Sequence, residues 1–225
     1  MNDKDLNIKE KIVRAYKTGG LGVLLYRVFK KTRKVLFGWH TSYWYVRKLS
    51  ESSVEIIPNI TVDINYHSIE ETLKWEKDNL HNGIFYCEET KEIRTARQNN
   101  HYFLNVTHNN KIIGFLKIAL HKTYFKEYLM NISVPPNLVF IYDTFIHPDY
   151  RGKKIALYMI NESMKMLKAQ GRAFIMCHIV PSNHVSQKIY TKIGFRKIGC
   201  IFYLRFLGIK IFNFHPERLM KNFDY

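Results

Sequence analysis

The sequence predicts an α/β fold, a mixed sheet flanked by helices. Three observations carry that expectation. The last ninety residues alternate strand, helix, strand, helix, strand. A two-strand hairpin pattern lies just before them. Composition is globular, with 46% hydrophobic and 24% charged residues in 225, which excludes a mostly disordered chain.

The alternating region begins with the apolar strand Leu138–Ile146. A turn, His147-Pro148-Asp149-Tyr150-Arg151-Gly152, leads into a helix over Lys153–Lys168 with Ile155, Met159, Ile160, Ser163 and Leu167 on one side. Gly171 closes it, and Arg172–Ile179 reads as a strand. Asn183–Lys192 reads as a helix stopped at Gly194. Phe195–Leu204 and Ile209–Phe214 read as strands turned at Leu207-Gly208. Upstream, Tyr102–Thr107 and Ile112–Leu120 flank the Asn109-Asn110 turn as a hairpin. Tyr124–Asn137, with Pro135-Pro136, reads as a loop. Short strands are expected at Tyr43–Leu49, Val54–Ile57 and Ile60–Asn65, and helices at Ser68–Leu80 and Glu88–Gln98.

The net charge of +16 is uneven. Residues 1–50 hold twelve Lys/Arg against three Asp/Glu. Within them Leu21, Leu24, Leu25, Val28, Val35 and Leu36 recur at helical spacing, and Arg27, Lys30, Lys31, Arg33 and Lys34 fill the other positions. Trp39, Tyr43, Trp44 and Tyr45 follow. A basic amphipathic helix beside aromatic residues fits an anionic membrane surface. It also fits a surface helix packed on its own domain. No nucleic-acid motif accompanies the charge. The expected organisation is therefore a basic amphipathic extension over 1–50 and a domain over 51–225. No apolar run approaches the ~20 residues of a bilayer crossing, and Met1–Glu10 lacks the apolar core of a secretory signal. The expected location is the cytoplasm, with a peripheral site at the inner face of the membrane. Cys87, Cys177 and Cys200 form no CxxC pair, and the ten histidines show no paired ligand spacing, so neither a disulfide scaffold nor a metal site is expected.

A strand running through a turn into a helix start is an anion site. First-turn amides lack internal partners, the helix dipole adds partial positive charge, and Arg151, Lys153 and Lys154 add full charges. The ligand this implies is a phosphate or pyrophosphate.

Tyr150-Arg151-Gly152-Lys153-Lys154-Ile155-Ala156 resembles the acyl-CoA loop of the GNAT (GCN5-related N-acetyltransferase) superfamily, Arg/Gln-x-x-Gly-x-Gly/Ala. Arg151 fills its first position and Ala156 its last, while Lys154 replaces the central glycine. Lys154 is expected to hold helical φ/ψ and still donate its amide. Asn183-His184-x-x-Ser-x-x-Ile-Tyr190-x-Lys-x-Gly194-Phe195 resembles the family's second motif, and the resemblance extends over about Ile60 to Phe214. It implies a GNAT fold with a mostly antiparallel central sheet, and acetyl transfer from acetyl-CoA to the primary amine of a small molecule. The acceptor class that the aromatic, basic flanks suggest is an amino sugar or cell-envelope precursor.

The same resemblance implies that Arg151, Gly152, Lys153, Lys154, Ile155 and Ala156 hold the diphosphate. The pantetheine arm would lie along Thr144–Ile146, where the amides of Phe145 and Ile146 polarise the thioester carbonyl. Tyr190 is the candidate general acid. Asp143, a carboxylate on an apolar strand, is the candidate base or amine anchor. Asn183 caps its helix and is a candidate CoA contact. His178 is a second candidate base, and Cys177 a remote candidate acyl carrier. By strand alternation Tyr142 and Thr144 are expected to face away from Asp143. Two other readings stand beside the enzyme: a non-catalytic CoA- or membrane-binding module, and a protein or peptide N-acetyltransferase. The latter would suit an acidic groove better than this basic chain.

Overall fold

In a computed structural model, residues 37–52, 54–67, 74 and 91–223 are described. The expected helix over Leu21–Leu36, and all but Lys74 of that over Ser68–Leu80, lie outside them. Two units are distinguished by their internal contacts, one of Thr41–Phe202 with Asn213–Tyr225, the other of Met1–His40 with Tyr203–Phe212.

The larger unit is built on β1 (Phe37–Lys48), β2 (Asp63–His67), β3 (Tyr102–His108), β4 (Lys111–Ala119), β7 (Leu138–Ile146), β8 (Phe174–Ile179) and β9 (Arg196–Phe206). They are ordered β9-β1-β8-β7-β4-β3-β2. β1/β8, β2/β3, β3/β4 and β4/β7 are antiparallel, and β7/β8 are parallel. This is the mostly antiparallel α/β sheet that the sequence implies. Helices α1 (Lys91–Gln98), α2 (Ile155–Ala169), α3 (His184–Lys192) and α4 (Pro216–Lys221) accompany it. α2 buries Ile155, Met159, Ile160, Met164 and Leu167 at its helical period, in one core with Leu116, Val139, Ile141 and Ile175 of the sheet.

β1 lies inside the sheet, not at its margin. Trp44 is fully buried, and Arg47 donates to the carbonyls of Ile193 and Ser52. The extension read over 1–50 thus shares Thr41–Lys48 with the larger unit.

Tyr124–Asn137 is not a loop. It contains a hairpin of β5 (Lys122–Phe125) and β6 (Met130–Ser133). The strands are four residues each, and Leu129, not glycine, takes the left-handed turn conformation, so no turn signal announces them. What holds the hairpin is burial: Phe125, Tyr128 and Ile132 are enclosed, with Phe125 stacked on Trp44 and tilted against Phe140. Residues 54–57 are irregular rather than extended in a sheet, and α4, too short to show a period, was not anticipated.

In the smaller unit, the end of β9 pairs with β10 (Ile209–Phe212) across Leu207-Gly208. Phe206 is opposite Ile209, Arg205 opposite Lys210, and Leu204 opposite Ile211.

Candidate active site

Parallel pairing between β7 and β8 runs from Leu138↔Phe174 to Ile141↔Cys177. There the strands part. β7 stays bound to β4 on its other side, but the register shifts: Ile141 faces Ile118 and Asp143 faces Lys117, leaving Tyr142 as an extra residue. Such a bulge re-aims side chains and ends regular alternation. Tyr142, Asp143 and Thr144 all border one cleft of about 190 Å3, together with Cys177, His178, Asn183, Ser186 and Tyr190. The bulge takes Tyr142 out of the simple alternation, while Asp143 and Thr144, opposite Lys117 and Leu116 in the ladder, still alternate.

Past it, β7 is held close to β4 by Gly114. A Cβ there would meet the Phe145 carbonyl at 2.7 Å and Ile146 Cδ1 at 2.5 Å, so only glycine fits.

Tyr190 is placed by the end of α3. Phe195 N–H donates to the Tyr190 carbonyl at 3.0 Å and Gly194 N–H to that of Thr191, with Gly194 left-handed at φ +86. This is the Schellman arrangement, and its usual hydrophobic contact is the Tyr190–Phe195 ring pair at 4.9 Å. The Tyr-x-x-x-Gly-Phe spacing thus has a local mechanical cause. The Tyr190 hydroxyl bonds Thr144 Oγ1 at 3.0 Å. Burial, with Cys177 and Asp143 nearby, pushes its phenol well above the usual value, against the pull of the Thr144 bond. It therefore keeps its proton through neutral pH. At the start of α3, the Asn183 side chain accepts from Ser186 N–H.

Asp143 is ion-paired. Its Oδ2 lies 3.3 Å from Nζ of the buried Lys117, which also sits 4.7 Å from the Phe115 ring centroid. Burial pushes the Cys177 thiol well up, so it lacks the thiolate that an acyl carrier needs. The His178 ring stacks on Phe140 and lies beside Trp44, Phe125 and Tyr128, with Nε2 4.0 Å from Glu127 Oε2.

Sequence reasoning missed two features. Tyr142 OH lies 3.1 Å from His101 Nδ1, whose Nε2 lies 2.8 Å from the Lys122 carbonyl. A carbonyl only accepts, so Nε2 carries the proton and Nδ1 accepts from Tyr142. Burial lowers the His101 pKa, which keeps this neutral tautomer. Glu127, inside the unread hairpin, is the other. Neither has a linear motif that could have exposed it.

The loop residues Arg151, Gly152, Lys153, Lys154, Ile155 and Ala156, with Phe145 and Ile146, are not in the lining of this cleft. They follow from the same strand. Arg151 Nε donates to the Ile146 carbonyl at 3.0 Å, and its guanidinium lies 5.9 Å from the Phe145 ring. Asn59 N–H donates to the Lys153 carbonyl, pinning the loop. Lys154 is not helical. It caps α2 at φ 61, ψ 12, the left-handed conformation suited to the glycine it replaces. The strain is of order 1 kcal/mol, and α2 begins only at Ile155. Gly152 is left-handed as well.

This parted-strand sheet with its loop and helix defines a class. A family model, Acetyltransferase (GNAT) family, matches residues 66–195. The chain belongs to the GNAT acetyltransferase family. Its fold is similar to that of a Drosophila protein (TM-score 0.51, 10% identity, 84% of this chain and 58% of that one). It is similar also to a GCN5-related N-acetyltransferase from Sphaerobacter thermophilus (TM-score 0.52, 11% identity, 80% and 55%). This chain thus spans little more than half the length of either. The aminoglycoside acetyltransferase AAC(6')-Iy, solved with a CoA bisubstrate analog, is 20% identical over 62% of this chain and 93% of its own, with TM-score 0.47. No curated protein matches.

Proposed function

We propose that the chain moves an acetyl group from acetyl-CoA to the primary amine of a small molecule, an amino sugar or cell-envelope precursor. One observation carries this reading: β7 and β8 part at the bulge, and a protonated tyrosine bonded to Thr144 faces the gap. The fit to acetyl-CoA is chemical. The edge of β7 turned toward β8 can pair with the pantetheine amides. The α2 N-terminus, Arg151, Lys153 and Lys154 suit a diphosphate.

In this reading Arg151 through Ala156 hold the diphosphate, and Ile146 presents its amide to the thioester carbonyl; the Phe145 amide, two residues before His147 whose N–H donates to the Ile113 carbonyl, is turned toward β4 instead. Asn183 borders the carrier. The amine attacks the carbonyl carbon; the C–N bond forms and the C–S bond breaks. The thiolate takes its proton from Tyr190. Asp143, its charge offset by Lys117, orients the amine through a hydrogen bond and passes its proton to water. The basic segment over 1–50 brings the chain to the inner, anionic face of the membrane from the cytoplasm.

Calorimetry with acetyl-CoA, followed by thiol release across an amine panel, tests the enzyme. Micromolar binding with amine-dependent thiol release is expected. Binding with no release across diverse amines would instead mark a CoA-binding module, the second reading, which the strained Lys154 favours. Flotation with anionic vesicles, comparing the chain with a variant carrying Lys30, Lys31, Arg33 and Lys34 as Ala, tests the membrane part; equal flotation removes it.

A further inference from the structure

The smaller unit carries an apolar surface that no part of the chemistry uses. In β9 and β10, Leu204, Phe206, Ile209 and Ile211 share one face by cross-strand pairing, and Arg205 and Lys210 share the other. The same division holds on β1. A Cβ at Gly38 would touch the Arg205 guanidinium at 3.4 Å, so Gly38 is on the cationic side, and Phe37 and Trp39 alternate to the apolar one. These apolar side chains are exposed: Trp39 is 74%, Ile209 63%, Leu207 60%, and Phe206 and Ile211 51% exposed.

The turn itself is unusual. Leu207 and Gly208 both have positive φ, 49 and 82, the pattern of a two-residue hairpin turn that favours Asn-Gly. Leucine there is strained by about 1 kcal/mol and recovers nothing by burial. The tip is apolar where a polar residue would be cheaper. Among the unit's described residues, the charged ones are Arg205 and Lys210, directly behind the tip.

We infer that the β9–β10 tip, with Trp39, inserts into the interfacial zone of an anionic bilayer. Phe206, Leu207 and Ile209 enter the acyl boundary. Arg205 and Lys210, one residue behind, reach the headgroup phosphates, and Trp39 takes the interfacial position that indole favours. Charge complementarity selects a lipid surface over an acidic soluble partner, because the cations form a collar behind an apolar point and not a patch of their own. No described helix is long and apolar enough to cross a membrane. The inference deepens the membrane part of the proposed function and rests on it, but needs no turnover.

The test uses the full chain with vesicles of phosphatidylcholine alone and of phosphatidylcholine mixed with phosphatidylglycerol. Brominated acyl chains should quench Trp39 emission in the mixed vesicles, and Trp39→Phe should abolish most of that quenching. The double substitution Phe206→Ser with Ile209→Ser should lower partitioning about tenfold or more, leaving thiol release with a soluble amine unchanged. Partitioning due to the tip should survive high salt, whereas that due to the Lys30–Lys34 cluster should fade. Wild-type partitioning by the double-Ser variant overturns the inference, as does an unquenched Trp39. So does a wild-type dimer in solution that the double-Ser variant dissociates, since the face would then belong to a second copy. Loss of thiol release with intact quenching would sink the enzyme reading and leave this one standing.

Discussion

Two regions beside the cleft are built on different principles. The region of β7, α2 and α3 is set by backbone devices: a bulge at Tyr142, a glycine that only fits as glycine, a Schellman cap, a left-handed loop. The region from the β5–β6 hairpin to His178 is set by aromatic packing, with Trp44, Phe125, Tyr128 and Phe140 around one imidazole. The difference teaches that a region fixed by main chain tolerates few substitutions at its turns and glycines, while one fixed by side chains can repack; under the proposed function, the first would suit a constant carrier and the second a variable amine.

Substitutions can break or sharpen that contrast. The largest effect is expected at Tyr190→Phe, which keeps the ring, the Phe195 contact and the cap but removes the proton. Thiol release should fall by about 100-fold or more with little change in the Michaelis constant for acetyl-CoA. An unchanged rate would remove Tyr190 from the chemistry. Gly114→Ala comes next, because a methyl at 2.7 Å from the Phe145 carbonyl must displace β7. Thermal unfolding should show a loss of roughly 1–3 kcal/mol, and acetyl-CoA affinity should weaken with it. If affinity holds, the edge of β7 does not bind the carrier.

Alkaline titration probes the buried donors of both regions. Burial, first among the causes, raises Tyr190 and Cys177 well above their ordinary values of 10.0 and 9.0 and raises Tyr128. A raised folded value means that the protonated form is favoured in the fold. That stability is complete below the unfolded value and is lost as pH rises through the folded one. Equilibrium unfolding should therefore show a flat plateau up to about pH 9 and a decline beyond it. A stability still flat well above pH 10 would contradict the burial of these groups.

Tyr142→Phe tests the link between the two regions, because Tyr142 is on β7 and its partner His101 is tied to the Lys122 carbonyl of β5. It removes one hydrogen bond, so the Michaelis constant for the amine should rise roughly fivefold with turnover nearly kept. A fall in turnover alone would overturn that role. The smallest effect is expected at Lys154→Gly. Relief of left-handed strain of about 1 kcal/mol is offset by the added backbone freedom of glycine, ~0.5–1 kcal/mol. The thermal midpoint should hardly move.

The same contrast explains what was legible. Leu138–Ile146 is an observed strand to the residue, and α3 ends at the expected glycine, because apolar runs and caps are local. The bulge is not local: it arises from β4 pairing and leaves no mark in Tyr142 itself. Lys154 adopts the conformation of the residue it replaces because the loop, pinned by Asn59 and Arg151, over-determines it. The β5–β6 hairpin was invisible since its turn uses leucine and its stability comes from β1 and β7. Glu127 meets His178, and His101 meets Lys122, only because that hairpin is there, so they stayed hidden with it.

β1 has one more consequence. Tyr43 finds its sheet partner at Ile179, so during synthesis the strand must wait for a partner well over a hundred residues further along the chain. At ordinary elongation rates that wait is on the order of ten seconds. Throughout it, the cationic stretch ahead of β1 is already outside the exit tunnel, and any encounter it makes then is made by a nascent chain that has not yet closed its sheet.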